Sequence, residues 1–457
     1  MARKLFGTDG VRGVAGHFLT AELAMALARA ATARVADLAE HAPRVLVIGD
    51  TRESGEMLEA AVAAGVAAAG GVALLGGVLP TPGAPLLIQR HGLDLGVVLS
   101  ASHNPYEDNG IKFFGGDGFK LTDEIEAEIE EMLEAAHVDA GAPGTGAEDP
   151  GAPGHPTPRI GRVQRFHGAL EDYLRALHER FEGLDLGGRR IVLDCANGAT
   201  YRAAPEIFRR LGAEVDVIAA EPDGRNINAG CGSTHLERLV ERMKVGDFDA
   251  GFAFDGDGDR VLAVDRSGAV VDGDELIALA ALHLRRSGRL HGGGVAVTVM
   301  TNFGFHTAMR EAGIEIATTA VGDRYVLETL RQRGWTLGGE QSGHIIDMDF
   351  NPTGDGIASA LLTLESLGEA DLGDRTAMEK LPQTLVNVRV SDKALAEAQD
   401  VRSAIARESE RLEGRGRVLL RPSGTEPVVR VMVEAPTGEE ADAVCARLVD
   451  VLEAITV

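Results

Sequence analysis

The sequence predicts an α/β fold made of three similar units, closed by a smaller α+β segment. Three observations predict it. A pattern of apolar strand, helix, glycine-led strand, helix and strand recurs three times. Each third strand runs into a polar loop: Ser100–Pro105, Asp255–Arg260 and Gly339–His344. From about residue 371 onward the strands follow one another without α/β crossovers.

Before the first unit, Thr20 is placed to cap a helix whose Leu23, Leu27, Val35 and Leu38 share one helical stripe. Val45–Ile48 then reads as a buried strand. A helix over about Glu56–Ala69, a strand over Val72–Leu75, a second helix and the apolar run Leu93–Leu99 complete the unit. Ser102 follows that run on a turn fixed by Asn104-Pro105. A further turn is expected at Asn109-Gly110, bringing Lys112 back toward the serine.

The second unit runs from Ile191–Asp194 through Gly212–Ile218 to Ala250–Phe254, and its loop begins at Asp255. The third runs from Val295–Val299 through Gly313–Ala317 to Trp335–Leu337, and its loop begins at Gly339-Glu340. Open α/β sheets bind ligands beyond the carboxyl ends of their strands, so the repeat sets three polar loops at one structural position. Between the first two units, Asp139–Pro158 is half Gly and Pro and reads as a linker or surface loop. The last segment carries strands at Val386–Val390, Arg417–Leu420 and Val428–Val433. Its final helix opens with Thr437 and Glu440 and aligns Val444, Leu448 and Leu452. Four domains are therefore expected, over residues 1–158, 159–254, 255–370 and 371–457.

Composition narrows the function. With 457 residues, 44% hydrophobic and 25% charged, the chain has ample material for several cores. A formal charge of −25 argues against a nucleic-acid or anionic-membrane surface, so an anionic ligand must meet a local cluster of Arg and Lys. Cys195, Cys231 and Cys445 are too few and too scattered for a disulfide framework, and a reducing cytoplasm is the expected location. The basic Met1–Lys4 runs into Gly7-Thr8-Asp9-Gly10 rather than an apolar stretch, so no signal peptide is expected. Ala60–Leu79 is long enough to span a bilayer, but its paired glycines divide it into a helix and a strand.

The loops carry the chemistry. Asp255, Asp257 and Asp259 alternate with glycines that let the backbone curl, so three carboxylates can face one hard cation. An EF-hand is excluded, because its sixth position requires Gly and finds Arg260. Compact negative charge of this kind repels itself unless a metal neutralises it, and Mg²⁺ leaves coordination sites for a phosphate. Glu340 and Ser342 offer hydrogen-bonding groups to sugar hydroxyls, with His344 in reach for proton transfer. Arg421, Ser423, Gly424, Thr425 and Arg430 have the makings of a phosphate cradle. A hydroxyl nucleophile, a metal loop, a polyol-reading loop and a phosphate cradle together suit phosphoryl transfer on a sugar phosphate.

Five motifs in register, Phe6–Gly13, the Ser102 loop, the Asp255 loop, Gly339–His344 and Arg421–Pro427, make the sequence resemble the α-D-phosphohexomutase family over essentially its whole length. The resemblance implies four domains with mixed sheets in a heart-shaped arrangement around a central cleft. It implies that Ser102 is carried as a phosphoserine and passes its phosphoryl group to a hexosamine 6-phosphate. The 1,6-bisphosphate so formed turns over and returns its 6-phosphoryl group, which interconverts glucosamine 6-phosphate and glucosamine 1-phosphate for cell-wall precursors. Asp255, Asp257 and Asp259 would hold Mg²⁺ together with a phosphoserine oxygen. Lys112, Arg12 and His344 would be the proton-transfer and charge-stabilising group, with acid and base unassigned. Glu340 and Ser342 would read ring hydroxyls, and Arg421, Ser423, Gly424, Thr425 and Arg430 the non-reacting phosphate. A sugar 1,6-bisphosphate is the expected activator. The partner is a small sugar phosphate, with no nucleic acid or membrane, and a homodimer stays open.

The same motifs allow a preference for glucose or mannose phosphates. Outside the mutases, the alternatives are a phosphohydrolase with an aspartate nucleophile and a non-catalytic sugar-phosphate sensor. A serine hydrolase is disfavoured, since no G-x-S-x-G occurs and His103 adjoins Ser102 rather than opposing it.

Overall fold

The computed structural model describes residues 5–7, 9–37, 41–141, 160–422 and 427–456, with backbone alone for 136–141. These fall into two compact units, Met1–Val299 with Ala317–Arg375, and Met300–Ile316 with Thr376–Val457.

Strands β1 (Val11–Val14), β2 (Arg44–Gly49), β3 (Val72–Val78), β4 (Leu95–Leu99), β5 (Asp108–Gly115) and β6 (Arg162–Arg165) form one sheet in the order β1-β5-β4-β2-β3-β6. A second sheet takes β7 (Arg190–Asp194), β8 (Glu214–Ile218), β9 (Ala250–Phe254), β10 (Val261–Asp265) and β11 (Val270–Val271) in the order β11-β10-β9-β7-β8. A third takes β12 (Gly294–Thr298), β13 (Glu315–Thr319), β14 (Leu337–Gly339) and β15 (Ile345–Asp347) in the order β13-β12-β14-β15.

The predicted repeat is present in the pairing. In each sheet the unit's first strand is central, with the second strand on one flank and the third on the other. A strand antiparallel to the third, β5, β10 or β15, then follows. Each polar loop is therefore the connection out of a third strand into its antiparallel neighbour. β4 and β9 are buried at every residue, as their apolar sequences require.

Thr20 caps the helix Ala21–Ala36 through a 3.2 Å bond from the Leu23 N–H. Leu27 of that helix is buried in a core with Val45, Val47, Val97, Leu99 and Ile111, while Leu23 and Val35 pack at its edge. Leu38 lies outside the described residues. Ala60–Leu79 divides as expected, into the helix Gly55–Ala68 and β3. Among the described residues no helix is long and apolar enough to cross a membrane.

In the second compact unit, β16 (Gln383–Arg389), β17 (Arg417–Pro422) and β18 (Val428–Glu434) form an antiparallel sheet in the order β16-β18-β17. The helix Gly438–Thr456 buries Val444, Leu448 and Leu452, and Thr437 Oγ1 accepts the Glu440 N–H at 3.2 Å.

Four expectations are corrected. Asn109-Gly110 is not a turn but lies within β5. Asn109 has its local partners built in, accepting the Gly110 N–H at 2.7 Å and donating to Ser54 Oγ at 2.8 Å. Gly110 serves close approach, since a Cβ there would stand 2.4 Å from the Ser100 carbonyl oxygen. The second sheet does not stop at residue 254, because β10 and β11 extend it to Val271 by antiparallel pairing. The first sheet likewise gains β6 after residue 158, through its parallel pairing with β3. Asp139–Gly141 closes a helix from Asp123, and the rest of the Gly/Pro stretch lies outside the described residues.

The packing at Gly110 makes a prediction. Gly110→Ala forces β5 away from Ser100, so it should destabilise the protein by about 1–3 kcal/mol in urea unfolding. Activity should fall with it, because Ser100 supports the Ser102 turn. An unchanged midpoint would show that the strand pair tolerates the methyl group.

Candidate active site

Ser102 leaves β4 in the left-handed region, with φ +52, which a non-glycine residue rarely adopts. Its surroundings hold it there. The Ser102 N–H donates to Ser100 Oγ at 2.9 Å, and Ser100 in turn donates to Asp50 at 2.6 Å. Arg52, whose side chain has no exposure, pairs with Asp50 at 2.9 Å. Its guanidinium also donates to the carbonyls of Ser102 (2.8 Å), Asn104 (2.9 Å) and Asp108 (2.9 Å), and to that of Pro105. Asn228 Nδ2 adds donors to the Ser102 and Asn104 carbonyls at 3.0 and 3.1 Å. The serine turn is thus wrapped around one buried guanidinium.

The hydroxyl of Ser102 points at the second loop and donates to Asp255 Oδ2 at 2.6 Å. Gly256 makes this approach possible, since a Cβ there would meet the Ser102 carbonyl at 2.6 Å. Asp255, Asp257 and Asp259 are all buried and place one carboxylate oxygen each within 4.8 Å of the others. Burial first, then the charges of Asp259 and Asp257, push the Asp255 carboxyl well above the usual range. Among the described residues, Asp257 Oδ1 and Asp259 Oδ1 are buried without a hydrogen-bond partner. Orphaned oxygens of this kind on an all-carboxylate set fit a hard divalent cation. Metal binding is the reading these residues support.

Cations and anions alternate around the triad. Lys112 Nζ, on β5, bonds Asp257 at 2.8 Å and Asp9 at 3.0 Å. Burial works against its charge, but Asp257 and Asp9 outweigh it and raise its pKa, so the ammonium stays protonated. Asp9 also pairs with Arg12 and with Lys120, and Lys120 bonds Asp323 at 2.6 Å. Arg12 reaches the Ala101 carbonyl at 3.4 Å, while its Nε has no hydrogen-bond partner among the described residues. Asp323 stands 3.9 Å from His344 Nε2, and His344 Nδ1 stands 3.5 Å from Asp259. The Gly354 N–H donates to Nε2 at 3.1 Å, which leaves Nδ1 as the protonated nitrogen facing Asp259. Burial alone would raise the Asp259 carboxyl, but His344 and the nearby cations hold it well below its usual value.

A cavity of about 380 Å³ opens among Arg12, Asp259, Arg260, Gly322, Glu340 and His344. Glu340 accepts the Gly322 N–H at 3.0 Å, and Ser342 of the same loop is exposed. Backbone contact registers this loop on the metal loop, since Val261 N–H donates to Gly343 O at 3.1 Å.

The structure therefore brings together Ser102, Lys112, Arg12, His344, Glu340 and the three aspartates. Arg421 and Arg430 belong to the other compact unit, where they face each other across the β17–β18 pair. Ser423, Gly424 and Thr425 lie outside the described residues. Sequence reasoning missed Arg52, Asn228, Lys120 and Asp323. Arg52 alone had a visible signal, since Asp50-Thr51-Arg52 directly follows β2 at the same edge as the three loops.

Known proteins share this sequence in all four of its domains. Residues 3–138 match phosphoglucomutase/phosphomannomutase alpha/beta/alpha domain I, and residues 171–268 match domain II. Residues 272–385 match domain III, and 385–451 match the C-terminal domain. The chain belongs to the phosphoglucomutase/phosphomannomutase family and is an enzyme of that class. It is 50% identical to the phosphoglucosamine mutase of Mycolicibacterium smegmatis, over 98% of this chain and 99% of that protein. It is 48% identical to the phosphoglucosamine mutase of Heliobacterium modesticaldum, again over 98% and 99%. Among solved structures, a phosphoglucomutase/phosphomannomutase family protein of Burkholderia thailandensis shares the fold. Its TM-score is 0.78 at 23% identity, covering 98% of this chain and 96% of that one.

Behind the metal loop, Asp355 caps the helix Gly356–Leu367, accepting from Ala358 N–H at 3.0 Å and from the Tyr173 hydroxyl at 3.0 Å. Burial, opposed by these bonds, raises its pKa to about 6. A raised carboxyl favours the folded state below the unfolded pKa near 4 and loses that advantage as pH rises through about 6, by about 2–3 kcal/mol. Asp355→Asn should remove this slope. Its stability relative to wild type should improve by about 2 kcal/mol between pH 4 and pH 7 in urea unfolding. Parallel profiles would show that Asp355 does not titrate in this range.

Proposed function

We propose that this enzyme interconverts glucosamine 6-phosphate and glucosamine 1-phosphate through a phosphoserine at Ser102 and a glucosamine 1,6-bisphosphate intermediate. The observation that carries the reading is the Ser102 hydroxyl, held in a strained turn 2.6 Å from a buried aspartate of a three-carboxylate cluster. Near-full-length similarity to phosphoglucosamine mutases supports the choice of sugar.

In the forward direction the phosphoserine P–Oγ bond breaks and a bond forms from phosphorus to the sugar O1, the O1 proton passing to a protein base while the leaving Ser102 Oγ takes up a proton to become a free hydroxyl. The reverse transfer takes the 6-phosphoryl group back to Ser102 once the bisphosphate has turned over. Both transfers depend chiefly on positioning and charge neutralisation. Asp255, Asp257 and Asp259 would hold Mg²⁺, which supplies positive charge against the phosphoryl oxygens. Lys112 and Arg12 carry fixed positive charge at the same place, and His344 joins them as a proton-transfer group. Glu340 and Ser342 read the ring hydroxyls. Arg421 and Arg430, with Ser423, Gly424 and Thr425, are the phosphate-holding set. A sugar 1,6-bisphosphate is the activator, because it can phosphorylate an unmodified Ser102.

Initial rates with glucosamine, glucose and mannose 6-phosphates, each with Mg²⁺ and a trace of glucose 1,6-bisphosphate, test the reading. The expected result is a kcat/KM for glucosamine 6-phosphate at least about tenfold above the others. Ser102→Ala should abolish conversion and remove the phosphate-bearing fraction from the intact mass. Equal rates on the three sugars would move the assignment to a general phosphohexomutase. A Ser102→Ala enzyme that still releases phosphate would favour an aspartate-based phosphohydrolase.

A further inference from the structure

A second cavity of about 600 Å³ lies behind the site. Gly10, Asp323 and His344 line both it and the 380 Å³ cavity, so at these residues the two are divided by a shared wall. Lys112 also faces the rear cavity. Lys112 and His344, two of the three groups assigned above to charge stabilisation and proton transfer, are thus approachable from this cavity. Phe113, Phe119, Leu121, Leu327 and Ile346 form much of its apolar lining, with charged residues at the rim.

Lys120 closes the wall. It leaves the turn after β5, where it forms a bridge back to Phe114, and bonds both Asp9 and Asp323. These two carboxylates belong to chain segments far apart in sequence, one before β1 and the other opening the helix Asp323–Arg333. Asp9 and Asp323 outweigh the burial of Lys120 and keep it charged. Its two ion pairs therefore tie the first α/β unit to the third through Asp323, which lines both cavities, and Asp9, which lines the smaller one.

We propose that Lys120 is a positioning residue that seals the phosphoryl-transfer site from water in the rear cavity and so protects the phosphoserine from hydrolysis. The inference rests on the phosphoserine reading above. A mutase must deliver its phosphoryl group to a sugar oxygen and not to water. In the unwanted reaction a water oxygen attacks phosphorus, the P–Oγ bond breaks, Ser102 Oγ takes a proton from that water, and inorganic phosphate leaves. Truncating Lys120 removes both ion pairs and the side chain that fills the wall, which lets water reach the site from behind.

The test uses wild-type and Lys120→Ala proteins phosphorylated with glucose 1,6-bisphosphate and then freed of sugar. Loss of phosphate from Ser102 is followed by intact mass, and phosphate release is measured against mutase turnover. The phosphoserine half-life of Lys120→Ala should be about tenfold shorter, and its phosphate released per turnover correspondingly higher. General weakening of the site would lower both reactions and leave their ratio unchanged. Asp323→Asn keeps the volume of the wall but weakens one bridge, and should shorten the half-life less. If Lys120→Ala does not fold by circular dichroism, Asp323→Asn carries the test. An unchanged half-life and ratio in the folded variant would overturn the proposal. A wild-type protein that takes up no phosphate would overturn the phosphoserine reading instead.

Discussion

Mutual repulsion among three buried carboxylates on a five-residue loop is the constraint to which the rest of the site responds. Asp255, Asp257 and Asp259 are each almost wholly removed from water, where like charges interact strongly and lack solvation. The neighbouring residues answer with an alternating chain, Asp257–Lys112–Asp9–Lys120–Asp323–His344–Asp259, which begins and ends on the cluster. Each anion in the chain has a cation or the imidazole beside it. The orphaned oxygens of Asp257 and Asp259 are what this chain leaves unanswered, and a divalent cation would complete it.

The fold supplies this arrangement by repetition. One α/β unit used three times presents the loop after its third strand in three chemical versions: a strained serine, a carboxylate cluster, and a Glu/Ser/His loop. Backbone contacts register the loops on one another. Gly256 lets the aspartate loop approach the serine carbonyl, and Val261 bonds the Gly343 carbonyl. The serine depends in addition on Arg52, which joins Asp50 to four loop carbonyls. Removing one partner of so buried a pair leaves an unpaired charge, at a cost of about 3–5 kcal/mol.

Much of this was legible in the sequence because the repeat is written in apolar strands followed by short polar motifs. β9 was legible to the residue, β7 and β12 to within a residue at either end, and the three loops fell at the predicted position. The antiparallel strands β10 and β15 were not. β15 has three residues, too few for a period to show, and both depend on pairing that only the folded sheet reveals. Asn109-Gly110 read as a turn because those residues favour turns, whereas here Asn109 finds side-chain partners and Gly110 permits close packing. Lys120 and Asp323 carried no signal in the sequence, since nothing local says that a lysine will be held by carboxylates from two distant segments. Arg52 was passed over although it stands just after β2 at the edge of the three loops, because its partners are carbonyls of a loop formed much later in the chain.

Isothermal titration of Mg²⁺ into the purified protein at pH 7, beside the Asp257→Asn variant, tests most directly whether the carboxylate cluster is built around a cation. The account predicts one Mg²⁺ bound per chain in the wild type and binding lost or strongly weakened in the variant. Absence of binding in the wild type, or equal binding in both proteins, would contradict it.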